Sequence, residues 1–171
     1  MSSRDASDVL RARARALAKP VVFEDESAIT DALDLLVTIV GDERLAIPVT
    51  RIAAIAFATN IVPLPRAVAP VYGVTVWRGR PITVLTLGAG VPSLGDESRF
   101  VILGDDRRAE VAVLVDSVED AVRVDRASIT PVDMSSRRAY AIGVTEDAML
   151  ILDADALIGG RRVETTATLT E

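Results

Sequence analysis

The spacing of polar and apolar positions changes period once along the chain. Over 5–19, "DASDVLRARARALAK", Leu10, Ala14 and Leu17 recur at helical spacing among Arg11, Arg13, Arg15 and Lys19. Ser7 or Asp8 can cap such a helix, and Pro20 follows its end. Residues 21–31 are acidic and read as a linker. From Leu33 the pattern is that of strands. "LDLLVTIV" (33–40), the turn "GDE" (41–43) and "RLAIPV" (44–49) predict a hairpin. "YGVTVW" (72–77) and "ITVLTL" (82–87) predict a second around "RGRP", and "RFVILG" (99–104) with "EVAVLV" (110–115) a third. Between the first two, "TNIVPLPRAVAP" (59–70) carries three prolines and cannot be a central strand. "GAGVPSLGDES" (88–98) reads as a loop, as does "PVDMSSRRAY" (131–140). "AIGVT" (141–145) and "AMLILD" (148–153) then flank the turn "ED", a short helix "ADALI" (154–158) is capped by Asp153, and 161–171 is a polar tail.

A repeat lies inside this string. "LAIPVTRIAAIA" (45–56) aligns without a gap on "VAVLVDSVEDAV" (111–122). "GVT" recurs at Gly73 and Gly143, each time leading into an apolar strand, and the two pairs are separated by nearly the same stretch of chain. Two copies of one small β unit follow, each with about five short strands. Such a unit is too small to bury its apolar face alone, so the two must share a core.

Composition narrows what the strands can do. Half of the 171 residues are hydrophobic, yet aromatic residues make up only 4%. The excess is aliphatic, and β-branched aliphatics favour strands. The net charge of −6 opposes nucleic-acid binding, which needs a basic face, and stacking rings for single strands are scarce. There is no cysteine and no histidine, so thiolate chemistry is excluded and the commonest general base and metal ligand are missing. No apolar run approaches the roughly 18 residues of a membrane span, and no signal peptide is evident. The expected setting is the cytoplasm, without membrane insertion.

"IPV" (47–49), "VPLP" (62–65), "VYGVTVWRG" (71–79), "LVDSV" (114–118) and "AIGV…LILDADALI" (141–158) stand in the order found in CheW-like domains, which this chain resembles over roughly 33–160. The most specific part is the run from Gly73 to Gly79, glycine, four residues, arginine, glycine. The resemblance implies a mainly β fold of two intertwined five-stranded SH3-like barrel subdomains. It also implies a non-enzymatic adaptor of bacterial chemotaxis arrays. Its partners would be the regulatory domain of a chemotaxis histidine kinase and the cytoplasmic tip of a methyl-accepting chemoreceptor. That would place it in the cytoplasm, recruited to membrane-associated arrays, with no cofactor, metal or catalytic residue.

Carried over by position, Arg78 and Gly79 fall on the receptor and kinase contact surface, as does Ile52 after the "IPV" strand. Ala54 stands where glutamate is common, and Val118 and Ala121 take the equivalent places in the second copy, near the receptor groove. Val76 replaces a usual asparagine, while Thr83 and Thr86 replace a proline and an aspartate. With those polar contacts gone, Trp77 offers a large apolar anchor for partners of the chain's own.

Plainer readings stand beside these. Arg78-Gly79 can be a hairpin end with a solvated charge. Strand alternation puts Val74, Val76 and Arg78 on one face and Thr75 and Trp77 on the other, leaving Trp77 in a second core or partly exposed. Asp116 and Asp153 sit where strands yield to a turn or helix, so capping explains them better than acid–base work. The glycines of 88–95 have no following lysine to make a phosphate loop. Asp105, Asp106 and Glu110 fit a solvated hairpin tip better than a calcium site. Two rival functions follow: an adaptor of the same fold in a non-flagellar pathway such as twitching motility, and a small-ligand-binding β-barrel using Asp116 or Asp153.

Overall fold

The structure, a computed structural model, describes residues 31–88, 94–104, 109–132 and 140–159. The helix expected over 5–19, most of the acidic linker, the tail, the glycine-rich segment before Leu94 and the pair Asp105-Asp106 lie outside the described residues.

The chain forms strands β1 (Ala32–Val40), β2 (Glu43–Pro48), β3 (Ile52–Phe57), β4 (Val62–Pro63), β5 (Val71–Trp77) and β6 (Arg80–Leu85). A second series follows: β7 (Arg99–Gly104), β8 (Ala109–Val115), β9 (Ser117–Asp125), β10 (Thr130–Pro131), β11 (Ala141–Val144) and β12 (Leu150–Leu152). The helix α1 (Ala154–Ile158) closes the described chain. The strands make two six-stranded sheets, one in the order β10-β11-β12-β2-β1-β9 and the other β4-β5-β6-β8-β7-β3. Written this way, the sheets correspond place for place, each strand of the first half standing for its counterpart in the second. Even the irregular joins repeat: β2 runs parallel to β12, and β8 runs parallel to β6.

The repeat read from the sequence is therefore real, and the two copies are interlaced. Each gives its first two strands to the sheet of the other. The sheets hold six strands where the resemblance implied five; β4 and β10, two residues each, lie at the outer edges. Both contain proline, which lacks the N–H that a central strand must donate.

Interlacing explains why the central strands read as continuous apolar runs. On β8, Val111, Val113 and Val115 enter a cluster shared by both sheets, with Leu36, Leu45 and Ile47 from the other one. The alternate residues Ala112 and Leu114 enter a second cluster with Ile82, Phe100 and Ile102. β1 does the same: Leu36 and Val40 face the shared cluster, Leu35 and Val37 a third one with Ile151. Strands buried on both faces lose the alternation of half-exposed ones. Each such aliphatic side chain contributes about 1.5–3 kcal/mol by its burial. One polar residue lies within this zone: Thr38 is fully buried, and its hydroxyl donates to the Leu45 carbonyl at 3.0 Å. Among the described residues no helix is long and apolar enough to cross a membrane.

Candidate protein-interaction site

The hairpin of β5 and β6 pairs Trp77 with Arg80, so its loop is only Arg78-Gly79. Both have positive φ, 48° and 79°, as a two-residue type I′ turn requires. Glycine takes that conformation freely, while an L-residue pays roughly 1–2 kcal/mol for the left-handed region. Asparagine is the favoured occupant of the first position. Arginine here is a poor choice for the turn itself.

The side chains around the turn divide as follows. Arg78, Gly79 and Arg80 are exposed. Trp77 is half-buried against the Ile82–Phe100 cluster, on the same face as Thr75, which is 4% exposed. Val76 points the other way and is 65% exposed. The two readings of Trp77 thus merge, since one side of the ring packs on a core and the ring remains accessible. The Arg78 guanidinium lies over it, 5.4 Å from the ring centroid.

Trp77 also walls a groove of about 290 Å³, lined on the near side by Thr75, Val76 and Ile82 and on the far side by Ala56, Phe57 and Thr59. Phe100 and Ile102 form the remaining lining. The sheet curls enough for β3 and β5, four places apart in strand order, to flank one depression. A hydrogen bond ties the two sides, from the Thr75 hydroxyl to the Thr59 carbonyl at 3.2 Å. The far lip carries a second ring and cation. Arg99, paired with Phe57 across β3 and β7, lies 4.0 Å over the Phe57 ring, which is 66% exposed. Its guanidinium donates to the carbonyls of Asp96 and Ser98 at 2.9 and 3.1 Å.

The other residues singled out from the sequence lie elsewhere. Ala54 is half-buried on β3 and packs on the same cluster as Trp77. A glutamate there would have to lift its carboxylate clear of that apolar surface. Ile52 and Val118, matched by the repeat, are both half-buried against the shared cluster. Ala121 is exposed on β9, opposite Leu36 of β1. Trp77, Arg78 and Gly79 are thus contiguous, Ala54 packs on the same cluster as Trp77, Ile52 and Val118 lie against the core shared by the two sheets, and Ala121 stands apart on the surface of β9. Sequence reasoning missed Phe57 and Arg99. The signal was available in principle, since Phe57 is one of only three phenylalanines and follows an alternating segment, "IAAIA".

The two carboxylates proposed as caps act on backbone. Asp116 accepts the Gly41 N–H at 2.6 Å, and Asp153 accepts the Ala156 N–H at 2.9 Å as the N-cap of α1. Among the described residues no group of three or more acidic side chains is placed to hold a metal ion.

A family model described as "CheW-like domain" matches residues 34–162. No curated protein matches the chain. Among solved structures, it is similar to the scaffolding protein TtCheW from Thermoanaerobacter tengcongensis, with a TM-score of 0.59 and 20% sequence identity. The match covers 70% of this chain and 88% of that one.

Proposed function

The chain belongs to the CheW-like domain family, and on that premise we propose that it is a non-enzymatic cytoplasmic adaptor. It couples the cytoplasmic tip of a chemoreceptor to the regulatory domain of a chemotaxis histidine kinase. The observation that carries this reading is the hairpin tip. An exposed arginine occupies a left-handed position better suited to asparagine or glycine, beside the chain's only tryptophan. Backbone strain of this kind clusters at functional sites, and beside an accessible tryptophan it supports a side chain kept for contact. The similar Thermoanaerobacter protein is described as a scaffold, which accords with a site made for contact.

The mechanism is geometric. Two interlaced sheets around one shared core move as a unit, so partners held on its surface keep a fixed relation. A small displacement of the receptor then reaches the kinase as a difference in contact free energy between two states of the array. Co-purification of the kinase regulatory domain and of the receptor tip with the wild-type chain, and its loss in Arg78→Glu at unchanged melting temperature, tests the proposal. Equal capture of both partners by the variant would refute the site.

A further inference from the structure

From the groove and its lips we infer the chemistry of the segment that docks there: an aliphatic side chain followed closely by carboxylates, with the acidic end on the Trp77 side. The inference rests on the adaptor reading only in taking the occupant to be a protein.

The lining sets the first half. Ala56, Trp77, Ile82, Phe100 and Ile102 give an apolar wall bordered by Phe57 and Val76, and the Thr75 hydroxyl is already committed to the Thr59 carbonyl. At about 290 Å³ the depression falls just below the range of small-molecule pockets, about 300–1,000 Å³, and suits a side chain or two. Apart from Thr59 at its edge, that wall offers a polar group no partner, and desolvation against it would go largely uncompensated.

The lips set the second half, and they are not equivalent. On the far lip, Arg99 stacks on Phe57 and donates to the Asp96 and Ser98 carbonyls, and two acidic residues, Asp96 and Glu97, stand in the turn just before it. On the near lip, Arg78 and Arg80 are both exposed, and among the described residues neither has a carboxylate partner. Two unpaired cations beside an apolar groove favour an occupant whose charge is negative on that side. The whole chain carries a net charge of −6, so a second copy would approach against mutual repulsion.

Because Trp77 is the only tryptophan, its emission reports occupancy of the groove in the intact protein. Three synthetic peptides serve as probes, each with one leucine followed by two glutamates, two glutamines or two lysines. The glutamate peptide should shift the emission and bind about ten-fold more tightly than the lysine peptide at low salt, a gap that narrows as salt is added. In the Arg78→Gln/Arg80→Gln double variant the preference should vanish while affinity for the glutamine peptide stays. Ala56→Trp would add a second fluorophore, so Ala56→Leu is used to fill the groove, and it should weaken all three peptides.

Equal binding of the glutamate and lysine peptides, a preference that survives the double variant, or no emission change with any peptide would overturn the inference. So would a concentration-dependent emission change accompanied by dimers in sedimentation, which would give the groove to a second copy. Capture of the kinase domain or receptor tip is scored separately. Capture with silent peptides refutes the groove chemistry alone, and peptide binding without capture refutes the adaptor partners alone.

Discussion

The guanidinium of Arg78 lies 5.4 Å from the centre of the Trp77 ring, and it gets there from a backbone with φ of 48°. The two facts oppose each other energetically. Stacking of an exposed cation on a ring is worth about 0.5–1 kcal/mol. The left-handed conformation costs a non-glycine residue roughly 1–2 kcal/mol. The stack therefore does not repay the strain, and under the proposed function the arginine is kept for a partner.

Replacing Arg78 by asparagine separates the two roles. Arg78→Asn creates the favoured Asn-Gly type I′ turn and removes the stack, so the balance lies at or slightly above zero. The melting temperature should stay level or rise by about 2 °C, a shift of the size expected for a fraction of a kcal/mol to 1 kcal/mol at this chain length. Capture of the partner should nevertheless fall. Thermal denaturation and co-purification on one preparation check both halves, and a drop in melting temperature beyond a few degrees would make Arg78 a structural residue.

The hairpins were legible because their signals are local. β7 and α1 fall where the pattern puts them, at 99–104 and 154–158, and the turns at Gly41 and Gly79 are marked by glycine with positive φ. β3 and β9 were visible only as halves of a repeated pattern. They follow β2 and β8 after a three-residue 3-10 turn and a single residue, Asp116; Pro48, the last residue of β2, marks the first break, and no glycine or proline marks the second. The exchange of strands between copies was not legible at all. β2 meets β12 and β6 meets β8 through pairings that no local window contains. The groove shares that fate, since Phe57 and Trp77 come together only after the sheet curls.

The recurring "GVT" glycines mark a second constraint that the repeat exposed but could not explain. A Cβ on Gly73 would stand 2.5 Å from the Val62 carbonyl oxygen, and one on Gly143 would stand 2.7 Å from that of Thr130. Both obstacles are backbone of the edge strands β4 and β10, which would have to move. Gly73→Ala and Gly143→Ala should each cost about 2–3 kcal/mol, at the upper end for overpacking. A Cβ on Gly79 meets nothing within 4 Å, so Gly79→Ala should cost only its backbone strain, about 1 kcal/mol. Urea denaturation of the three variants gives the ranking, and a Gly79 variant as unstable as the other two would contradict it.

Ala148 offers the reverse case. It has φ of 58° in the turn between β11 and β12, where its N–H donates to the Thr145 carbonyl at 3.0 Å. It is exposed, so glycine would give up little buried apolar surface there. Relief of the left-handed strain, roughly 1–2 kcal/mol, exceeds the entropy that glycine adds to the unfolded chain, about 0.5–1 kcal/mol. Ala148→Gly should stabilise the protein by about 0.5 kcal/mol, seen as a higher urea midpoint with an unchanged slope.

The carboxylates Asp116 and Asp153 decide between an adaptor and a ligand-binding barrel. Asp116 joins the β8–β9 junction to the β1–β2 turn, its Oδ2 accepting the Gly41 N–H at 2.6 Å. Its other oxygen is buried without a hydrogen-bond partner among the described residues. Asp153 caps α1. Each bond ties backbone to backbone through one carboxylate, so removal should cost about 1 kcal/mol in stability. Asp116→Ala and Asp153→Ala should accordingly lower the melting temperature by a few degrees and leave partner capture unchanged. Asp116→Asn keeps an acceptor for Gly41 and should lose less than the alanine variant. Capture that fails while the melting temperature holds would move the carboxylate from the scaffold to the binding surface. A loss of stability alone, in both residues, leaves the hairpin tip as the part of the chain made for contact.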